Sequence, residues 1–200
     1  MKTFPLKQFQ RVTVGSETLT KESITASFRT VRRKVGAPHR WRFDVETAPM
    51  MYAQLQEINA FVIALDGKEQ TVLLDNPMPP IGPGGGQPRT RVEHSAEAKI
   101  LHVEGLPANM RPWQPGDFIQ IGEHPKVYTV VEAGKTDNQG GLDVTIHPSL
   151  RTGFERGKFI RFGGRVTFHM NLENDTHDIS FAATNGKISS LSLSFVEDIQ

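Results

Sequence analysis

Residues 76–88 constrain the fold of this chain more than any other segment. The sequence NPMPPIGPGGGQP holds five prolines and four glycines. Proline lacks the backbone donor that helices and central strands need, and glycine has no side chain to pack. We therefore expect a linker or extended arm that divides the chain into two parts. The GPGGG run is not typical of a phosphate-binding loop, because no Gly-Lys-Ser/Thr follows it.

The part before this segment begins with strand-like alternation. Residues 23–31 and 40–45 alternate small or apolar residues with polar ones, which predicts two antiparallel strands. Between them, residues 35–39 (VGAPH) supply Gly and Pro, the residues that favour a turn.

A helix is predicted next. Thr47 is its expected N-cap, Pro49 lies in its first turn, and Gly67 is its expected C′ residue. An apolar stripe at helical spacing must face a core; it consists of Met51, Leu55, Ile58, Val62 and Leu65. A strand at 71–74 follows.

Short apolar runs separated by turn residues follow the Pro/Gly segment. These runs cover 99–103, 118–121, 127–131, 142–146 and 158–162. Five short strands at this spacing match a small closed β-barrel of the OB type better than half of a β-sandwich. After Gly163-Gly164, further strands are predicted at 165–172, 179–181 and 187–195.

The residue inventory argues against catalysis. The chain has no Cys, its seven His never recur at zinc-motif spacings, and it contains no Gly-x-Ser-x-Gly. Asp44 and Glu46 share a strand face, where a salt bridge with neighbouring arginines is favoured over a glycosidase pair. We predict no catalytic residue, no cofactor, no metal and no enzyme activity. Because no apolar run approaches the roughly 20 residues that cross a bilayer, no membrane insertion is expected.

Charge is distributed unevenly although the net charge is only +1. Residues 28–42 hold six bases and no acid, whereas residues 92–158 carry seven bases and nine acids. The acidic middle predicts a barrel without a phosphate or nucleic-acid site, and no sequence-specific nucleic-acid partner.

The basic run is either a solvated face or a contact between subunits. Alternation places Arg40 and Arg42 together, opposite Trp41 and Phe43. The exposed Ser face of the last predicted strand is the second candidate surface. The candidate intersubunit residues are Arg29, Arg32, Arg33, Arg40, Arg42, Ser190, Ser192 and Ser194.

The order of motifs resembles the distal tail (Dit) proteins of siphophages, and among them those of T5-like phages. The likeness is carried by PGDFIQIGEHPKVY at 115–128, a strand ending IHPSL at 146–150, and ISSLSLSF at 188–195. Earlier in the chain, WRFD at 41–44 followed by TAPM at 47–50 and a helix looks like the opening of many siphophage tail proteins.

This resemblance implies a fold, an assembly and a place. The fold is mainly β with one helix: a β-sandwich or split-barrel tail domain, 1–86 plus 164–200, with an OB-type barrel inserted at 87–163. The assembly is a homo-hexameric ring at the distal end of the tail, in the virion, after synthesis in the host cytoplasm. Its partners would be the tail tube protein, the baseplate hub or tail tip protein, and fibre or collar proteins.

A second function stays open beside the ring. OB-type barrels also hold sugars in their loops, so the inserted segment is a candidate carbohydrate- or receptor-binding module of the tail tip. The two functions differ in self-association, because only the ring requires six copies of the chain.

Overall fold

The computed structural model describes residues 2–4, 9–24, 30–175, 179–181 and 189–199, with the side chains of 2, 19–24, 31–38, 179–181 and 189 left out. Within these residues the protein is mainly β with one α-helix, as predicted. The chain divides into two compact units: a sheet unit of 1–17, 40–77 and 168–200, and a barrel unit of 18–39 and 78–167. The described part contains no helix long and apolar enough to cross a membrane.

A seven-stranded sheet organises the sheet unit. The strand order is β1-β4-β11-β13-β3-β2, and β12 pairs with β13. The strands are β1 (Lys2–Thr3), β2 (Phe9–Ile24), β3 (Thr30–Thr47), β4 (Val72–Asp75), β11 (Thr167–Leu172), β12 (Ile179–Phe181) and β13 (Ser189–Glu197). Strands β4 and β11 are neighbours in the sheet although residues 76–166 lie between them in the sequence.

Alternation along β3 and β13 buries one side of this sheet. Trp41, Phe43 and Val45 are buried, which confirms the predicted apolar face. The antiparallel register sets Phe43 opposite Phe195 and Val45 opposite Leu193, so paired strands contribute to the same core.

The turn predicted at 35–39 is wrong. Residues 30–47 form one continuous strand, β3. The register with β13 covers Arg42 to Glu46, so Gly36 and Pro38 lie beyond that pairing, and β3 pairs with β2 along its other edge. A proline is tolerated in a strand where its missing donor does not interrupt a ladder. Local turn chemistry was therefore outweighed by strand pairing.

The single described helix, α1, spans Tyr52–Ile63 and packs against β13. Most of the predicted stripe is buried, namely Leu55, Ile58, Val62 and Leu65. The predicted helix ends are wrong. Met51, which is 53% exposed, is the N-cap, so Pro49 precedes the helix; Ala64 is the C-cap, so Gly67 lies beyond the C′ position. Thr47 instead ends β3, and its hydroxyl accepts a hydrogen bond from the Leu191 amide at 2.9 Å. Thr47 is therefore part of the sheet and lies four residues before the N-cap of the helix.

A six-stranded, nearly closed β-barrel organises the barrel unit. The strand order is β10-β7-β8-β9-β6-β5. These strands are β5 (Arg89–Thr90), β6 (Ile100–Glu104), β7 (Phe118–Ile121), β8 (Val127–Ala133), β9 (Leu142–His147) and β10 (Ile160–Phe162). Five of them confirm the five predicted strands. Strand β6 lies beside β9, which makes the arrangement a Greek key.

The barrel closes along a seam between β5 and β10. Arg89 and Phe159 form an antiparallel bridge there, and the Ile160 amide donates to the Pro88 carbonyl at 2.8 Å. Inward-facing side chains fill the interior; those with no more than 1% exposure include Leu101, Val103, Trp113, Ile119, Ile121, Tyr128, Val130, Val144 and Leu150.

The Pro/Gly-rich segment is folded against the barrel from residue 78 onward. The buried Asp117 carboxylate accepts hydrogen bonds from the Ile81, Gly82 and Gln114 amides at 2.6, 3.0 and 2.7 Å. At Gly86, φ is +68°, and a Cβ atom would collide with the Gly105 carbonyl. Glycine is required at that position because the backbones approach closely.

Candidate functional site

The predicted contact residues fall on β3 and β13 to the extent that the structure describes them. Arg29 lies outside the described residues, and Arg32 and Arg33 lie in β3 with undescribed side chains. The other predicted residues, Arg40, Arg42, Ser190, Ser192 and Ser194, are described. The register pairs Ser194 with Asp44 and Ser192 with Glu46, so the outer faces of β3 and β13 are continuous.

This continuity corrects one prediction. The Ser face and the described basic face were expected to be two complementary surfaces. Because Ser194 stands directly beside Asp44, two residues from Arg42, they form one patch. A head-to-tail contact requires two different surfaces on each subunit. We call this patch the β3/β13 face; it is one surface and not the two that a head-to-tail contact requires.

The arginines of the β3/β13 face are ion-paired within the chain. Arg40 Nε lies 2.6 Å from Glu17 Oε2. The Arg42 guanidinium lies 3.1 Å from Asp44 and 3.2 Å from Glu173. The pairing of Asp44 with a neighbouring arginine confirms that prediction. Two positive and three negative groups give this cluster a net charge of −1.

Hydrogen bonding fixes the charge of Asp44. Burial opposes its ionisation, but hydrogen bonds from Ser194 and Arg42 and the Arg42 charge outweigh burial and hold the pKa of Asp44 below its usual value. The Ser194 hydroxyl lies 2.6 Å from Asp44 Oδ1. The Asp44 hydrogen bond, despite some loss from desolvation, raises the pKa of Arg42. This cluster is therefore a fixed electrostatic network in which Ser194 positions a carboxylate.

Sequence reasoning missed a basic pocket on the barrel unit. It lies beside the seam and has a volume of about 380 Å³. Its lining residues are Gln87, Pro88, Arg89, Phe159, Ile160, Arg161 and Arg165. Arg89 comes from β5, Arg161 from β10, and Arg165 from the 3-10 turn Gly163–Arg165 that follows β10. We call it the seam pocket.

The arginines of the seam pocket differ in how they are held. Arg161 forms an ion pair with Glu123 at 2.9 Å, and its guanidinium carbon lies 5.4 Å from the centre of the Phe159 ring. Among the described residues, neither Arg89 nor Arg165 has an ion pair or a side-chain hydrogen bond. The pocket therefore keeps two guanidinium groups whose donors can bind a ligand.

Only folding brings these arginines together. Arg89 and Arg161 lie near opposite ends of the barrel sequence. Both are just outside the acidic segment 92–158. Counted over 87–163, the segment has ten bases and nine acids, so it is not net negative as residues 92–158 suggested. The only sequence signal was the position of arginines beside Pro88 and Gly163-Gly164, where the seam begins and ends.

A His/Asp cluster on β6 and β9 is a weaker candidate. His102 Nδ1 lies 2.7 Å from Asp143, and His94 Nε2 accepts the His102 amide at 2.9 Å. Burial, and then the neighbouring His102, lower the pKa of His94 despite the Val92 carbonyl. In the part of the chain that the structure describes, no group of three or more such side chains is arranged to hold a metal ion.

Comparison with known proteins adds no further constraint. No family model matches the chain, and no curated protein matches its sequence. The functional interpretation therefore rests on the motifs, the topology and the two arginine clusters described above.

Proposed function

We propose that this chain is a structural protein of a phage virion, a distal tail protein that forms a homo-hexameric ring joining the tail tube to the baseplate or adsorption apparatus. The proposal rests on the motif order at 115–128, 146–150 and 188–195. In this role the protein acts through contacts with copies of itself, the tail tube protein and the hub or tip protein.

The insertion of the barrel between two adjacent strands is the observation that carries this proposal. Strand β4 ends at Asp75, β11 begins at Thr167, and the two lie side by side in the sheet. The resemblance implies a β-rich domain completed by the C-terminal segment and interrupted by an inserted barrel. The observed sheet has that discontinuous construction, although nothing in composition alone requires it.

We also propose a specific fold type for each of the two units. We assign the barrel to the OB type because it is small, Greek-key and built from five main strands with one two-residue strand. We assign the sheet unit to the split-barrel or sandwich type of tail domain on the resemblance, with α1 against β13.

Ring assembly is tested by sedimentation velocity of the purified chain over a range of concentrations. Polar contacts mostly set register, while apolar burial sets stability, so we expect hexamers at high concentration and monomers at low concentration. A monomer at every concentration together with tails that lack this protein, or a closed oligomer of another number, would contradict the proposal.

A substitution at Ser192 tests whether the β3/β13 face is one side of the ring contact. Ser192 is exposed, and Ser192→Arg adds bulk to the face without removing any ion pair. We expect that it abolishes the hexamer and leaves the unfolding midpoint nearly unchanged. The matched control is Val131→Arg, on an exposed position of β8 in the barrel. If Ser192→Arg forms hexamers as readily as the control, this face is not the contact.

The double charge reversal of Arg40 and Arg42 is a second variant for the same face. We expect it to weaken ring assembly, but it also places new carboxylates beside Glu17, Asp44 and Glu173. A loss of assembly in this variant is therefore informative only when its unfolding midpoint is measured in parallel.

The seam pocket favours a second candidate function. A concave site with two guanidinium groups lacking partners in the described chain fits a carbohydrate- or receptor-binding module of the tail tip. This function does not require a ring and is tested by ligand binding to the monomer.

A further inference from the structure

The seam pocket has the size and rigidity of a small-ligand site. Its volume of about 380 Å³ falls in the range of roughly 300–1,000 Å³ that is usual for such sites. The Arg89–Phe159 bridge and the bond between Ile160 and Pro88 fix the backbone on both sides. The backbone positions of Arg89 and Phe159 are therefore set before a ligand binds, while Arg165 lies on the 3-10 turn that follows β10.

Charge in the pocket selects for an anion. Three arginines line it, and Glu123, bound to Arg161, is the acid that pairs with them among the described residues. A guanidinium offers a planar fork of donors that matches a carboxylate or a phosphate. Arg89 and Arg165 are available for this role, whereas Arg161 is held by Glu123 and by Gln120.

The aromatic side chain in the pocket indicates what carries the negative charge. Phe159 is 42% exposed, and Arg161 lies over its ring. A pyranose ring has faces of C–H groups that pack on an aromatic ring, while its substituents remain free to bind donors. Single-stranded nucleic acids instead need a basic groove with successive aromatic side chains. The pocket has one exposed ring, so it fits one sugar unit better than a nucleotide chain.

We infer that the seam pocket binds an anionic saccharide, with the guanidinium groups of Arg89 and Arg165 on its carboxylate or phosphate and the Phe159 ring against its sugar ring. This inference deepens the second proposed function and rests on it; it does not depend on ring formation. It names negatively charged cell-surface polysaccharides as the ligand class.

Isothermal titration of the full chain tests the inference with defined probes. We use trigalacturonate for a carboxylate sugar, glucose 6-phosphate for a phosphate sugar, maltotriose as the uncharged match and inorganic phosphate alone. We expect one or both charged sugars to bind at least about 10-fold more tightly than maltotriose and than phosphate, because both contacts are needed. The charged sugar that binds more tightly shows whether the pocket prefers a carboxylate or a phosphate.

Variants assign the binding to the pocket. Arg165→Gln and Phe159→Ala should each weaken binding of the charged sugar by about 10-fold or more, the loss expected for a charge-assisted contact or a stacked ring. Arg156→Gln is the control, because this arginine is exposed and lies outside the pocket lining. Intrinsic fluorescence of the buried Trp41 and Trp113 verifies that each variant is folded.

The outcomes separate this inference from both proposed functions. Equal binding of maltotriose, an unchanged affinity in Arg165→Gln, or tighter and strongly salt-dependent binding of oligo(dT) would each overturn it. Hexamer formation is measured on the same samples by sedimentation, so a ring without sugar binding refutes only the pocket assignment. Receptor binding that survives Arg165→Gln would keep the accessory-module proposal and still refute this site.

Discussion

The sheet unit and the barrel unit use charged side chains differently. On the β3/β13 face of the sheet, charged groups pair with one another at the surface, as Arg42 does with Asp44 and Glu173. The sheet also buries the Glu197 carboxylate at 4% exposure, which accepts a hydrogen bond from the Trp41 amide within β3. In the barrel, Asp117 and Lys126 are each only 2% exposed. Surface pairs are screened by water and contribute little to stability, whereas a buried charge must be fully hydrogen-bonded. In the barrel, one buried carboxylate, Asp117, accepts three amides of irregular backbone, whereas the charged groups of the β3/β13 face mainly pair with one another.

The two arginine clusters differ in how they are paired. Arg40 and Arg42 on the β3/β13 face are ion-paired with neighbouring carboxylates, whereas Arg89 and Arg165 of the seam pocket have no such partner among the described residues. Each unit has its own reporter, because the two tryptophans of the chain are Trp41 in the sheet and Trp113 in the barrel.

The largest expected effect comes from Asp117→Asn in the barrel. An amide cannot accept all three backbone donors, since its NH₂ group would face one of them. We expect a loss of about 3 kcal/mol in the free energy of unfolding. Urea unfolding followed by Trp113 fluorescence in a Trp41→Phe background measures it. Asp143→Asn is the control, because the Asp143 side chain is 55% exposed and should matter little. Equal losses of unfolding free energy in Asp117→Asn and Asp143→Asn would contradict the special role of the buried Asp117 carboxylate.

An intermediate effect is expected for Arg42→Ala in the sheet. Removing the guanidinium leaves Asp44 and Glu173 without their shared partner, but water screens both. We expect about 1 kcal/mol of destabilisation, and less for Arg40→Ala, which removes an ion pair with Glu17 alone. Trp41 fluorescence in a Trp113→Phe background reports both. A loss for Arg42→Ala as large as that for Asp117→Asn would contradict the assigned difference between the units.

The smallest expected effect is a fall in folding stability with falling pH, which begins at a higher pH for His94 than for Asp44. His94 has a lowered pKa, so the unfolded barrel binds more protons than the folded barrel as the pH falls below 6.5. Asp44 has a lowered pKa, so its contribution to the sheet is lost only as the pH falls below 3.8. The barrel carboxylate Asp137, whose pKa is lowered mainly by the Gly141 amide, acts in that same acidic window.

Urea midpoints at pH 7, 5.5 and 3.5 test these windows. His94→Gln should reduce the fall in barrel stability between pH 7 and 5.5, and Asp44→Asn should reduce the fall in sheet stability between pH 5.5 and 3.5. His102→Gln is the control for the first variant. An unchanged slope in His94→Gln would show that the buried imidazole is not the group responsible.

The sequence predicted the strands and the helix stripe, because these depend on local periodicity. The five barrel strands, β13 and most of the α1 stripe follow from alternation or helical spacing, and each forms where expected. The turn at 35–39 and the Thr47 cap were wrong because strand pairing of β3 outweighed local preferences. The seam pocket could not be predicted, since Arg89 and Arg161 meet only when the barrel closes.

Electron microscopy of intact tails, labelled with an antibody against the purified chain, tests the central claim most directly. We predict label confined to the distal end of the tail, at a ring whose averaged end views have sixfold symmetry. Label along the tube or at the head, no label on the virion, or a ring with another symmetry would contradict it.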